Sequence, residues 1–233
     1  RTGDSSGPIV GVSSSVTIND TSLTPALFAF TNFTFTNGTA TRKDGPTSFA
    51  AVSSYTSQSW YASYFSVSSG IQSWTVPENG TYRITAVGAS GGENNGGTFY
   101  PGFPGQGATI QGDFVLTSGT VLNLVVGQKG DYGQNGSAGG GGSFVYTGSI
   151  GGGGLLIAAG GGGGWGHGSN SYTEVRGGGG SATSTPVSGV SSPNPGDGGF
   201  QGIGLGGNGG GGTLTYGTGG GGAGWGSNGN NGT

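Results

Sequence analysis

Cysteine and methionine are both absent from this 233-residue chain, and histidine occurs once, at His167. Without cysteine there are no disulfides and no thiolate metal sites. Charge is scarce as well: 6 basic and 9 acidic residues leave a net charge of −3. That is far from the basic balance of a nucleic-acid binder. No stretch approaches the ~20 apolar residues of a membrane helix, so this segment is not expected to insert into a bilayer. Few windows place apolar residues at i, i+3 and i+4, and Ser, Thr and Gly are poor helix formers. With no Met at all, the chain is expected to be a processed or trimmed piece of something longer, any signal peptide already gone.

Glycine and aromatic residues take the place of what is missing. The 62 Gly and 9 Pro make up about 30% of the chain, a level typical of low-complexity sequence. Yet 11 Phe, 9 Tyr and 4 Trp argue against simple disorder, which is aromatic-poor. The glycines are unevenly placed, 17 of them in residues 1–126 and 45 in 127–233.

The first half reads as strands. Val10, Val12, Val16 and Ile18 share one parity, the period-2 mark of a half-buried strand. Ala26, Phe28 and Phe30 continue as a second strand, with Phe33 and Phe35 after a bulge or change of face. Residues 60–67 form a third candidate, and 71–76 a fourth, stopped by Pro77-Glu78-Asn79-Gly80, in which Asn79-Gly80 is a strong turn pair. Tyr82, Ile84 and Ala86 then alternate with Arg83, Thr85 and Val87. Residues 107–117 and 120–126, on either side of Ser118-Gly119, are expected to form a hairpin. Residues 144–146 and 155–159 are short apolar strands inside the glycine region. Many short strands broken by turn residues suggest a β-sandwich or jelly roll.

Runs of four or five glycines lie at 139–142, 151–154, 160–164, 177–180, 209–212 and 219–222. They follow no Gly-X-Y period, which excludes collagen. Two readings stay open on composition. One is a flexible linker. The other is a bundle of polyglycine II helices, an extended form with about three residues per turn and no internal hydrogen bonds. Its peptide groups need partners outside their own segment. With no Cβ in the way, neighbouring segments can approach on all sides and supply them. Ordering glycine is entropically costly, so such an array needs a framework at its ends. The interleaved apolar strands would provide one.

Four stretches carry a family resemblance: GIQSWTVPENGTYRITAVGASGG (70–92), GQGATIQGDFVLTSGTVLNLVVGQKG (105–130), GGGGSFV (139–145) and LLIAAGGGGG (155–164). They resemble the glycine-rich module of the anaplastic lymphoma kinase and leukocyte tyrosine kinase ectodomains and its microbial and viral surface-protein relatives. FTFTN (33–37) with GPT (45–47) is similar to the upstream part of the microbial versions. The resemblance spans residues 30–233, with 70–164 specific and the later glycine region compositional. It implies a jelly-roll-like β-sandwich with an inserted bundle of polyglycine II helices. Phage tail-tip adhesins with glycine-helix sandwiches share only the composition. The receptor modules carry cysteines, and this chain has none; nor is a kinase or EGF-like segment visible. That departure favours a free-standing surface or fibre protein.

Motifs that could carry chemistry are weak. Gly88-Ala89-Ser90-Gly91-Gly92 fits G-x-S-x-G, but the residues after it do not start the helix that a nucleophile elbow requires, so a glycine turn is the plain reading. Gly204-Leu205-Gly206-Gly207-Asn208-Gly209 fits G-x-G-x-x-G without a βαβ context, as glycine-rich sequence does by chance. His167 lacks histidine or cysteine partners, and no loop pattern supports a Ca²⁺ site near Asp131 or Asp197. No catalytic residue, metal ligand or cofactor is assigned.

Asn-x-Ser/Thr sequons occur at Asn19, Asn32, Asn37, Asn79, Asn135 and Asn231, a mild excess over chance and the mark of a glycoprotein if the source is a eukaryotic secretory pathway. Trp165, Tyr172, Tyr216 and Trp225 punctuate the glycine half. They either cap the array and shield its backbone bonds, or sit on loops and bind sugar or protein.

The expectation is therefore an all-β chain with three parts. Residues 1–24 form an N-terminal strand, either part of the sandwich or an arm exchanged with a neighbouring subunit. Residues 25–130 form a β-sandwich, and 131–233 a polyglycine-rich array with interleaved sandwich strands. The function read from this is a non-enzymatic extracellular structural or adhesive protein, a self-associating subunit of a surface filament or fibre on a cell or virion. The alternative is the ligand-binding ectodomain of a receptor. Glycans or a protein ligand are the partners considered; nucleic acid is not.

Overall fold

The structure is a computed structural model that describes residues 25–40, 44–93, 104–132, 137–150 and 154–165, with the backbone of 202–203. Two single-turn helices, α1 (Ser53–Thr56) and α2 (Tyr61–Tyr64), precede eight strands: β1 (Phe65–Ser68), β2 (Ile71–Thr75), β3 (Gly80–Val87), β4 (Thr109–Leu116), β5 (Val121–Val125), β6 (Ser143–Thr147), β7 (Leu155–Ala159) and β8 (Gly202–Ile203). β1-β2-β5-β6-β7-β8 form one antiparallel sheet, and β3-β4 form a separate two-stranded ribbon. The ribbon packs across β6 and β7. The chain is all-β, with few helical residues among those described.

Period-2 patterning explains the ribbon. Tyr82, Ile84 and Ala86 on β3, with Ile110, Phe114 and Leu116 on β4, join the core. Thr81, Arg83, Thr85 and Val87 face outward, as do their register partners Val115, Asp113, Gln111 and Thr109. The β1–β2 connection is a two-residue turn, Ser69-Gly70, with both φ positive (49° and 81°), the backbone that tight hairpins require.

The strand pairs β2–β5 and β3–β4 share one register. Gln72 faces Leu124, Thr75 faces Val121, Gly80 faces Leu116 and Val87 faces Thr109. Each step forward on 72–87 is thus a step back on 109–124. One long hairpin folds over at a corner, where Val76 N–H donates to Thr120 O (2.8 Å) and Gly119 N–H to Val76 O (2.9 Å). Asn79 Oδ1 accepts the Ser118 N–H (2.8 Å), and Ser118 Oγ donates to Pro77 O (3.0 Å).

The hairpin expected of 107–117 and 120–126 therefore does not exist. Both strands form, but β4 pairs with β3 and β5 with β2. Turn chemistry at Ser118-Gly119 is local, whereas burial is not. Folding the paired arms over sets Trp74, Leu122 and Leu124 in the same core as Tyr82, Ile84 and Phe114. Two more expectations need correction. Residues 26–30 are not a strand; Leu27 N–H donates to Pro77 O (2.9 Å), and the segment is held through its rings instead of a ladder. In 60–67 only the second half is strand, because α2 occupies 61–64.

Rings dominate the core between the layers. Phe33 meets Tyr55 and Trp60 edge-on at 4.8 Å, Phe49 stacks on Tyr55 at 4.1 Å, and Phe30 lies 4.8 Å from Trp74. Such contacts contribute roughly 0.5–1.5 kcal/mol each beyond burial. One polar network sits among them. Tyr55 Oη donates to Gln72 Oε1 (2.9 Å), the Thr36 N–H donates to Tyr55 Oη (2.8 Å), and Gln72 Nε2 donates to Thr36 O (2.8 Å). These bonds pin the irregular segment 33–36 to β2. Burial pushes the Tyr55 phenol pKa above its ordinary value, against the smaller opposing effect of its Thr36 hydrogen bonds.

Candidate functional site

Five glycine-bearing segments extend the strands end-on. Segment 88–92 leaves β3, 105–108 enters β4, 127–131 leaves β5, 137–142 enters β6 and 160–165 leaves β7. Their peptide groups bond to one another across segments. Gly88 N–H donates to Ala108 O (2.8 Å) and Gly91 N–H to Gly105 O (3.0 Å), continuing the β3–β4 register. Gly141 N–H to Gln128 O and Ala138 N–H to Asp131 O (both 2.9 Å) continue β5–β6. Gly140 N–H to Gly162 O (2.7 Å) and Ser137 N–H to Trp165 O (2.8 Å) continue β6–β7. No register is lost, but the bonds recur at every third residue, where a β-ladder repeats at every second.

Further bonds cross between the two layers. Ala89 N–H donates to Gly141 O (2.9 Å) and Gly92 N–H to Ala138 O (2.8 Å). Gly105 N–H reaches Gly163 O and Ala108 N–H reaches Gly160 O, both at 2.9 Å. Packed sheets normally stand about 10 Å apart because side chains fill the gap. Here no side chains separate the layers, and peptide groups of both bond directly.

Segment 88–92 (GASGG) bonds to all four of the other segments. Segment 160–164 bonds to 88–92, 105–108 and 137–142; it is all glycine and buried throughout. A Cβ at Gly161, Gly162 or Gly164 would run into the carbonyl oxygen of Gly140, Gly105 or Ser137 respectively. Those positions instead point a Cα hydrogen at the oxygen, a weak hydrogen bond in its own right. Segments 105–108 and 127–131 bond to fewer neighbours and carry side chains, among them the exposed Gln106 and Lys129.

Two buried serines bolt segment 137–142 at both ends. Ser143 Oγ donates to Val87 O (2.7 Å) and accepts the Gly127 N–H (3.0 Å). Ser137 Oγ donates to Gly92 O and accepts the Trp165 N–H (2.7 Å). Sequence reasoning missed both. Their only signal is position, one serine on each side of AGGGG in SAGGGGS.

The predicted site residues are scattered. Trp165 closes segment 160–165 and is only 2% exposed; Tyr172, Tyr216 and Trp225 lie outside the described residues. Asn32 and Asn79 are exposed, Asn37 is half-buried with its amide nitrogen donating to Ala40 O (2.9 Å), and Asn19, Asn135 and Asn231 lie outside. Residues 88–92 are neither a nucleophile elbow nor a turn; they run extended, with Ser90 O accepting the Gly130 N–H (3.0 Å). Gly130 and Asp131, on either side of the expected sandwich–array boundary, share one segment. His167, Asp197 and 204–209 fall outside the described residues. Asp131 is exposed, and no group of three or more His, Cys, Asp or Glu gathers among the described residues.

A groove of about 620 Å³ runs between the layers along β3. Its walls are β3 and segment 30–35, and its floor includes Leu122, Leu124 and Val145. Trp74 lines it, is 3% exposed, and has no acceptor for its Nε1 hydrogen among the described residues. On the outer face of the ribbon, Arg83 and Asp113 form a bidentate pair at 2.7 and 2.8 Å. The pair holds the Asp113 carboxyl below, and the Arg83 guanidinium above, their ordinary pKa values. A comparison of the chain with protein-family models returns no match.

Proposed function

We propose that this chain is a non-enzymatic extracellular structural protein, a subunit of a surface filament or fibre, whose rigid element is an array of polyglycine II helices. The supporting observation is the three-residue repeat of the bonds between segments 88–92, 105–108, 127–131, 137–142 and 160–165. An extended helix with three residues per turn presents its N–H groups to the same neighbour at every third residue. Its rise of about 3.1 Å per residue nearly matches the ~3.3 Å of a strand, so pairing can pass from sheet to array without slipping. In the same reading, the folded-over hairpin 72–87/109–124 is the jelly-roll element, with the ribbon and the six-stranded sheet as the two layers of a sandwich.

Such an array suits load-bearing. Its bonds run across the segments, so tension along them loads many bonds together in shear. The exposed sequons at Asn32 and Asn79 and the scarcity of charge fit a surface protein of a secretory source. Negative-stain electron microscopy of the purified chain tests the proposal. Regular polymers that grow with concentration are expected; particles that stay monomeric at every concentration would overturn it.

A further inference from the structure

We propose that residues 9–18 of one copy add as a strand to the free edge of β3 in a neighbouring copy, filling the groove between β3 and segment 30–35. The inference rests on the filament reading above and supplies its subunit contact.

The edge comes first. Gly88 and Ala108 form a bonded pair, so by antiparallel alternation residues 80, 82, 84 and 86 exchange bonds with β4. The N–H and C=O groups of Thr81, Arg83 and Thr85 then line the other edge, where no backbone hydrogen bond reaches them from the described residues. An open edge of this kind templates another strand.

The groove selects the strand. Tyr82, Ile84 and Ala86 face inward, Phe33 and Phe35 stand opposite, and the floor is apolar. An added strand must be apolar on one face and polar on the other. Residues 9–18 read IVGVSSSVTI: Val10, Val12, Val16 and Ile18 share one parity with Ser14 between them, while Gly11, Ser13, Ser15 and Thr17 take the other, with Ile9 at its end. The stretch has no proline and no charge. At ten residues it matches the eight of β3 with one to spare at each end. The buried Trp74 Nε1 hydrogen lies in this same groove without an acceptor among the described residues, a donor for an entering segment to satisfy.

Chain direction supplies the reach. The described chain begins at Pro25, and Leu27 is bonded to Pro77 at the corner just before β3. The 24 preceding residues thus depart from one end of the groove. The six residues 19–24 span roughly 20 Å when extended. A strand given to one neighbour and a groove offered to another make a heterologous contact, which propagates as an open polymer wherever its rotation does not close into a ring. The same strand folded into its own groove would close the molecule and leave the filament without this contact.

Cysteine cross-linking of the full chain tests this. Thr85→Cys on the outward face of β3 is combined, in one chain at a time, with Gly11→Cys, Ser13→Cys, Ser15→Cys or Thr17→Cys, the outward positions of the strand. The native chain has no cysteine, so every disulfide reports the introduced pair. Loss of the monomer band to a ladder of dimers, trimers and higher species on a non-reducing gel, strongest at one of the four positions, is expected. A disulfide confined to the monomer would place the strand in its own groove and overturn the proposal, as would no disulfide at any position. The same samples, reduced and imaged, separate the two readings: filaments without cross-links sink strand exchange and leave the filament standing.

Discussion

Gly162 donates its N–H to the carbonyl of Ala89 at 2.9 Å, although the strands that lead to these residues, β7 and β3, belong to different layers. Three residues on, Trp165 N–H approaches Gly92 O at 3.4 Å. The contact is parallel, whereas the strand-derived pairs around it are antiparallel.

Gly162→Ala tests this contact. Its Cβ would meet the Gly105 carbonyl, held in place by the rest of the array. A loss of at least about 3 kcal/mol in chemical denaturation is expected, the upper end of overpacking. Gly119→Ala is the comparison: nothing lies within 4 Å of its Cβ, and only the positive φ of 83° opposes it. It should lose about 1–2 kcal/mol. Equal losses at the two positions would count against close packing of the array.

Ser137→Ala and Ser143→Ala each remove a buried hydroxyl that serves two backbone partners. Ser137→Ala is expected to lose about 1–3 kcal/mol, because Gly92 O and the Trp165 N–H stay buried and unpaired, and Ser143→Ala less, because Val87 is exposed and Gly127 half-buried. Amide hydrogen exchange should accelerate at Trp165 in the first variant and at Gly127 in the second.

Tyr55 sets an alkaline limit. Its folded-state pKa is raised by burial, so the folded protein holds the phenol proton more tightly than the unfolded chain does. The stability tied to this proton is fully present below about pH 10 and falls as pH rises through the folded-state value. Tyr55→Phe removes this dependence and leaves Gln72 Oε1 and the Thr36 N–H without their partner. The variant should lose about 1–3 kcal/mol at neutral pH and show a flatter stability curve above pH 10. Urea melts at pH 7, 9 and 11 measure both effects.

Sequon use should follow exposure. Asn32 and Asn79 are exposed, Asn79 bonded only through its Oδ1, whereas the Asn37 side-chain nitrogen donates to Ala40 O in a turn whose Gly38 and Thr39 have φ of 57° and 66°. In protein secreted from a eukaryotic host, glycopeptide mass spectrometry should find higher occupancy at Asn32 and Asn79 than at Asn37.

Alternation made β2, β3, β6 and β7 legible, because each buries one parity or a short apolar run. The partners of β4 and β5 were not legible. Gly119 announces a tight turn, but a tight turn does not say whether the chain beyond it returns to the same sheet or crosses to the other. α1 and α2 are one turn each, too short for a helical period to emerge. The array lies beyond local reading for a different reason. A glycine run has no pattern to read, and its order resides in neighbours brought from 88–92, 105–108 and 137–142. Ser137 and Ser143 gain their meaning only from those neighbours.

A repeat of identical peptide groups is also ambiguous. If 160–164 slid by three residues along its partners, glycine would meet the same donors and acceptors, so the run alone permits several equivalent alignments. Flanking residues break the degeneracy. Ala159 is held opposite Ser143 by the β6–β7 pairing, and Trp165 is caught by Ser137. The sheet therefore acts as the jig on which the glycines are aligned.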